Sequence, residues 1–406
     1  MTSDTLVSPQ AATIAQGLRI LAQMAPPAVA DLSFFTGKLG HVLLYAYAYK
    51  HSGDDAHWQR LTETLDDVLA QLQPSSSARL LTQPGLLPNL AMVLQVLRTD
   101  DIADIELGEE TLAQFDEVVG KQALAYIRGR NIDFLYGATG ALHYLGTRAT
   151  ERPAVEANLR DLLAALLETR VEDEHGIRFF NAHINHLNGN TDINLGLAHG
   201  HCGLLLVLLQ LHEAGLLQAE IAPLAGRMVD YLLSLELPPE PEKGRVSFFP
   251  ARHEDGRPLH DPLNRQAYNN RMGWCYGDLN VVQVLHQAAR VLGRPELDAL
   301  ACRVGAHTCT RRAEFDSGID SAHLCHGSAS LALYYRQLYA AQPLPCYREA
   351  HAYWKQETLD RLPAAYEQGD EAFQASGLLM GLPGMLLWLI TEELGEPVAW
   401  PQLFLL

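Results

Sequence analysis

The sequence predicts an all-α protein: an α/α toroid, a double-layered barrel of seven helical hairpins with small β-prone insertions. Three observations predict it. A Gly-x-x-Gly turn recurs as Gly37-Lys-Leu-Gly40, Gly137-Ala-Thr-Gly140, Gly200-His-Cys-Gly203 and Gly381-Leu-Pro-Gly384, with degenerate copies at Gly85-Leu-Leu-Pro88, Gly277-Asp-Leu-Asn280 and Gly327-Ser-Ala-Ser330. The first glycines are spaced by 48, 52, 63, 77, 50 and 54 residues, so the repeat unit is one supersecondary motif. After each turn comes a short run apolar on nearly all sides, and between turns lie longer amphipathic segments, which together give one inner and one outer helix per repeat.

Taken in order, Ala11 to Ala25 reads as an outer helix ahead of the first turn. Trp58 to Leu72, Val155 to Leu167 and Glu220 to Leu235 carry apolar residues at helical spacing with charge on the opposite face, as outer helices should. Leu204-Leu-Leu-Val-Leu-Leu209 and Met385-Leu-Leu-Trp-Leu-Ile390 have no polar face and belong inside. An open solenoid would need polar capping repeats, and none is visible; a closed ring covers its own ends. The two longest intervals hold β-prone runs, Gly176-Ile-Arg-Phe-Phe-Asn181 and Arg245-Val-Ser-Phe-Phe-Pro250. Residues 1–406 are therefore read as one toroid domain, with inserted loops at about 171–195 and 238–270 suited to peptide binding.

Composition narrows the function. With 30 Lys+Arg against 48 Asp+Glu the net charge is −18, which disfavours nucleic acid or an anionic membrane surface as partner. Hydrophobic residues make up 48% of the chain, enough for a large core. The polar start Met1 to Gln10 is no secretory signal. The apolar stretch Leu378 to Ile390 is too short to span a bilayer. Six cysteines in 406 residues do not form a disulfide framework, and a reducing cytoplasm is expected, with thiols free for metal or chemistry. P-loop, Rossmann and Gly-x-Ser-x-Gly patterns are absent.

Chemistry-bearing residues gather at one phase of the repeat. Asp133 lies four positions before Gly137 and His199 one before Gly200. Cys275 lies two before Gly277, between Trp274 and Tyr276, with Arg271 upstream; Cys325 and His326 immediately precede Gly327. In a ring, equal phase means equal height, so these side chains should converge at one mouth. Cys275, Cys325 and His326 form a zinc ligand set with an open fourth position, which suits activation of an incoming thiol. His199, with Asp133 or Arg271, could move protons or stabilise developing charge. His175, His183 and His186 are read as solvated or hydrogen-bonded, His201 and Cys202 as packing residues, Cys302 and Cys309 as core. His323 is either a partner of the metal ligands or a polar turn residue. Acidic pairs such as Asp100-Asp101 and Glu109-Glu110 are read as solvated faces or helix starts.

Asn194-Leu-Gly-Leu-Ala-His-Gly200, Arg271-Met-Gly-Trp-Cys-Tyr-Gly277 and Leu324-Cys-His-Gly327 resemble the three signature segments of the lanthionine synthetase C-like proteins, the lantibiotic cyclases. Asp133-Phe-Leu-Tyr-Gly-Ala-Thr-Gly140 resembles that family's further Asp-containing turn. The resemblance implies a seven-hairpin α/α toroid and one zinc per chain at Cys275, Cys325 and His326. It also implies catalytic or near-catalytic roles for His199, Asp133 and Arg271, with Tyr276 beside the metal. It implies a cytoplasmic cyclase, peripheral to a membrane-associated complex in some settings. Such a cyclase adds cysteine thiols to dehydroalanine or dehydrobutyrine in a ribosomally made precursor peptide. A separate dehydratase and an exporter would be its partners, because no dehydratase-sized extension is present. Asn280 and Ser330 stand where the family usually has Gly, which is expected to disturb local packing more than metal binding. Two other readings compete: addition of a small thiol such as glutathione to dehydrated residues, and a non-catalytic zinc-stabilised toroid that holds peptides.

Overall fold

The computed structural model describes residues 9–23, 31–72, 85–258, 261, 267–268, 271–368 and 377–406. Among these, fourteen long helices alternate between two layers. Outer and inner partners in chain order are α1 (Pro9–Gln23) with α2 (Lys38–Ser52), α3 (Asp55–Ala70) with α4 (Leu86–Thr99), and α5 (Glu109–Arg128) with α6 (Ala138–Glu151). An insertion with β1 (Val171–Asp173), β2 (Gly176–Arg178), α8 (Ala182–Asn188) and β3 (Asp192–Asn194) separates outer α7 (Pro153–Glu168) from inner α9 (His201–Glu213). Outer α10 (Gln218–Ser234) leads through β4 (Arg252–Glu254) to inner α11 (Asp278–Val291). Outer α12 (Pro295–Thr308) passes the one-turn α13 (Glu314–Ser317) to inner α14 (Ser328–Ala341); outer α15 (Pro345–Gln368) and inner α16 (Leu382–Leu394) complete the set. The toroid and its hairpins are as the periodicity predicts. The first expected outer helix runs from Pro9 to Gln23, and the last two positions assigned to it, 24 and 25, lie outside the described residues.

The two layers follow from the two sequence patterns. Every residue of α9 from His201 to Leu209 is buried, because this helix has protein on all sides. In α3 only Leu61, Leu65 and Val68 are buried, a stripe spaced i, i+4, i+7 that faces the inner layer while Glu63 and Asp66 face water. The Asp54 carboxylate accepts from the Ala56 N–H and opens that helix.

The ring closes: α16 packs against α2 and α1, burying Trp388 completely. A 3-10 turn over Trp400–Phe404 then fills the middle. The Phe404 ring contacts Phe34, Phe35, Trp274 and Trp400, and its carbonyl accepts from the Trp274 indole at 2.8 Å. The Asp100 carboxylate accepts from the Ala399 N–H at 2.9 Å and from the Tyr47 hydroxyl. Asp100 is thus a clasp of the closed ring, a correction to its reading as a solvated acid. Glu109 and Glu110 do start a helix. Removing the closing ring of α16, Trp388→Ala, should cost about 3–5 kcal/mol, the usual range for a buried aromatic. Denaturant unfolding monitored by circular dichroism measures it.

The insertions differ in part from expectation. The expected β-prone run at Gly176 forms a strand over its first three residues, paired with β1, but Arg245 to Pro250 is no strand apart from a single bridge between Glu240 and Arg245. The reason is Asp278, fully buried at the start of α11, whose carboxylate accepts from the N–H groups of Phe248 and Phe249. Those donors are spent on a side chain and cannot build a ladder. The second insertion instead supplies β4, which pairs antiparallel with β3 of the first. A small satellite core of Ile193, Leu195, Tyr231 and Leu235 underlies the junction. Positions 259–260, 262–266 and 269–270 of the expected 238–270 loop lie outside the described residues. No helix among the described residues is long and apolar enough to cross a membrane.

Candidate metal and proton-transfer site

The turns that precede the inner helices are stitched side by side around one mouth. The Phe134 N–H donates to the Ala198 carbonyl, the Ala198 N–H to Cys275, the Trp274 N–H to Cys325, the Cys325 N–H to Leu379 and the Leu379 N–H to Phe35. This run of backbone bonds puts residues of equal phase at equal height, as the repeat argument requires. They surround a cavity of about 780 Å³ lined by His199, Arg271, Cys275, Tyr276, Cys325 and His326, with Phe35, Leu135, Ile184 and Leu379 as apolar wall.

Cys275 and Cys325 are buried and His326 partly so. Their sulfur and nitrogen atoms all lie within 4.8 Å of one another, with 3.9 Å between Cys275 Sγ and His326 Nδ1. Ligands about 2.0–2.3 Å from a tetrahedral zinc are separated by about 3.3–3.8 Å, so this group fits the metal with small adjustments. Gly273 makes the approach possible, since a Cβ there would lie 2.9 Å from His326 Cα. The hydrogen bond from Cys325, followed by the influence of His326, pulls the Cys275 thiol well below its usual range against the effect of burial. The same bond, with burial, pushes Cys325 up. His323 packs edge-on to His326 with ring centroids 4.3 Å apart, and its Nδ1 faces the His326 N–H.

Asp133 is fully buried. One of its carboxylate oxygens accepts from the Leu135 and Tyr136 N–H groups, which makes the turn; the other lies 2.7 Å from His199 Nδ1. With Nδ1 engaged, Nε2 is the nitrogen left to the cavity. Burial opposes a charged imidazole at His199, but the Asp133 carboxylate outweighs it and Cys275 adds to the effect, so its pKa is raised. Tyr276 lies against the His199 ring at 6.0 Å and takes a hydrogen bond from Asn194 Nδ2 at 2.9 Å. Burial, above all, raises its hydroxyl to about 12, so it stays protonated near neutrality. Arg271 is exposed on the wall, makes no hydrogen bond or ion pair with described residues, and exerts a lowering pull on Cys325.

The structure thus brings six of the seven predicted site residues to the cavity wall and places Asp133 behind His199. Sequence reasoning missed Asn181, whose side-chain amide donates to Asp133 at 3.1 Å and to the His199 carbonyl at 2.8 Å. Its only trace was its place at the end of a β-prone run. There its side-chain oxygen also caps α8. His175 and His186 are exposed, His183 lies against Tyr136, and none joins a metal-spaced group among the described residues. His201 and Cys202 are buried as expected, as is Cys309. Cys302 is only half-buried, a correction: it sits midway along α12, beside His286 and Asp298, whose 2.7 Å contact is a hydrogen-bonded pair.

A closed helical double ring with two thiols, an imidazole and a second Asp-bound imidazole at one mouth defines a toroidal protein with a thiol-rich candidate site for a metal and for proton transfer. The chain belongs to the lanthionine synthetase C-like protein family, whose sequence profile matches residues 28–405. A solved structure of nisin cyclase shares the fold with a TM-score of 0.71 at 17% identity, covering 98% of this chain and 96% of that one. An inactive variant of an alpha-1,6-mannanase from Salegentibacter sp. HEL1_6, in complex with alpha-1,6-mannotriose, gives only 0.44 at 11% identity, over 95% of this chain and 99% of that one. No curated protein matches the sequence.

Proposed function

We propose that this chain is a zinc-dependent cyclase that adds peptide cysteine thiols to dehydroalanine or dehydrobutyrine, closing thioether rings in a ribosomally made precursor peptide. The observation that carries the reading is the opening of the His199–Asp133 pair onto the same cavity as Cys275, Cys325 and His326. Family membership and the nisin cyclase fold support it. Cys275, Cys325 and His326 would hold one zinc, which when bound supplies an open position for a thiol and lowers that thiol's pKa.

The chain's own groups account for the rest. His199 Nε2 takes the proton from the incoming thiol. Sulfur bonds to the β-carbon, and the displaced π electrons pass to the neighbouring carbonyl as an enolate. The Arg271 guanidinium and the Tyr276 hydroxyl, both on the cavity wall, can hold that oxygen. His199 Nε2 then returns the proton to the α-carbon, while Asp133 keeps the ring oriented and its charge compensated. The apolar wall and the insertions, within one toroid domain, receive the peptide backbone. A dehydratase acting beforehand supplies the dehydrated residues, in a reducing cytoplasm that keeps cysteines free. The test is loss of free thiol in a dehydrated precursor peptide at unchanged mass. Conversion only when glutathione is added, with the corresponding mass gain, would reject ring closure.

A pH prediction follows. Because the His199 pKa is raised, a step that needs its imidazolium persists above the ordinary histidine value and fades as pH rises through the raised one. In Asp133→Asn the carboxylate's support is gone and only the Cys275 contribution is left to oppose burial, so the alkaline limb should move to lower pH. The pH–rate profiles of the two proteins measure the shift.

A further inference from the structure

Four of the seven hairpins place a glycine at the third residue of the inner helix: Gly40, Gly140, Gly203 and Gly384. Each sits against the carbonyl six residues before it. A Cβ would lie 2.5 Å from the Phe34 oxygen, 2.3 Å from Phe134, 2.0 Å from Leu197 and 1.8 Å from Leu378. Asn280 and Ser330 occupy the same position in the two hairpins that carry the thiols. There a side chain takes the place of the glycine hydrogen and bonds to the loop backbone.

The bonds converge on the residues that set the sulfurs. Asn280 Nδ2 donates to the Trp274 carbonyl at 2.9 Å, the carbonyl six residues back. Ser330 Oγ accepts from the Trp274 N–H at 2.7 Å and donates to the Cys325 carbonyl at 3.2 Å. Both main-chain groups of Trp274, the neighbour of Cys275, are therefore clamped, and Ser330 ties that clamp to the second cysteine. Asn280 Oδ1 reaches further, accepting from the Leu197 N–H at 3.1 Å in the turn that carries His199. Both side chains are buried, each about 1% exposed, where a satisfied polar group is costly to lose. We infer that Asn280 and Ser330 are positioning residues: Ser330 fixes the spacing of the Cys275 and Cys325 thiols, and Asn280 registers that pair against His199. This reverses the expectation that the two departures from Gly disturb packing, and it rests on the metal reading above.

The test uses the full chain with cobalt(II) as the metal probe. Ser330→Gly and Asn280→Gly install the residue that four sibling hairpins already use, so the metal-free variants should fold with near wild-type circular dichroism. Chelator competition should show cobalt and zinc affinity about tenfold to hundredfold weaker, the usual effect of losing groups that orient metal ligands. The cobalt ligand-field bands should shift in both variants, a signature that a packing role alone would not move. Asn280→Gly should also lower kcat more than its metal-saturated spectrum accounts for. If a Gly variant fails to fold, Ser330→Ala, which removes only the hydroxyl, carries the same readouts. Wild-type affinity and spectra in the substituted chains would overturn the positioning role. A wild-type chain that takes up neither metal would overturn the metal reading itself, and this inference with it.

Discussion

His199→Ala should keep the fold and the metal yet close rings at least about two orders of magnitude more slowly, the usual span for a lost general acid–base group. The structure supplies the reason. Nδ1 is held by a fully buried carboxylate at 2.7 Å, leaving Nε2 as a nitrogen able to take and return a proton over the cavity. Alanine removes that nitrogen and leaves the Asp133 turn intact, because the Leu135 and Tyr136 bonds to the carboxylate do not involve His199. Zinc content, melting temperature and free-thiol loss should be measured together on this variant. A folded, metal-loaded variant that consumes peptide thiols at the wild-type rate would remove His199 from the chemistry; a variant that simply melts would make it a structural turn residue.

Cys325→Ala should take metal content from about one zinc per chain to nearly none, because two remaining protein ligands fall below the three of an open catalytic zinc site. Ring formation should fall with it. The loss is expected to be larger than the thiol's share of packing, since the Cys325 backbone still accepts from Trp274 and donates to Leu379 and holds the loop in place. Elemental analysis of the purified variant beside the wild type decides it; full zinc retention would reject the ligand assignment. The same analysis on Cys302→Ala should show no change, because His286 and Asp298 already satisfy one another.

Much of this was legible in the chain. A turn repeated seven times, with an apolar run after each, leaves little choice of architecture, since each hairpin has an apolar face that only its neighbours can cover. Phase along the repeat then placed Asp133, His199, Cys275, Cys325 and His326 together, because in a closed ring a shared register is a shared height. Signature segments around the same residues pointed to the family that the profile match shows.

What the chain did not disclose depends on contacts between residues far apart in sequence. Asn181 reaches Asp133 across 48 positions and Ser330 reaches Trp274 across 56; no local pattern names either partner, because a polar side chain before or inside a helix has many possible ones. The turn at Trp400–Phe404 follows the last repeat and carries no repeat signal, and only the closed ring gives it an axis to fill. Arg245 to Pro250 has strand propensity, yet the buried Asp278 carboxylate takes the Phe248 and Phe249 N–H donors. Local periodicity by itself determined the helices, their two layers and the height of the site, since those follow from which faces must leave water. The partners of buried polar groups were decided by tertiary structure alone, because a hydrogen bond is directional and short, and its geometry exists only once the ring has closed.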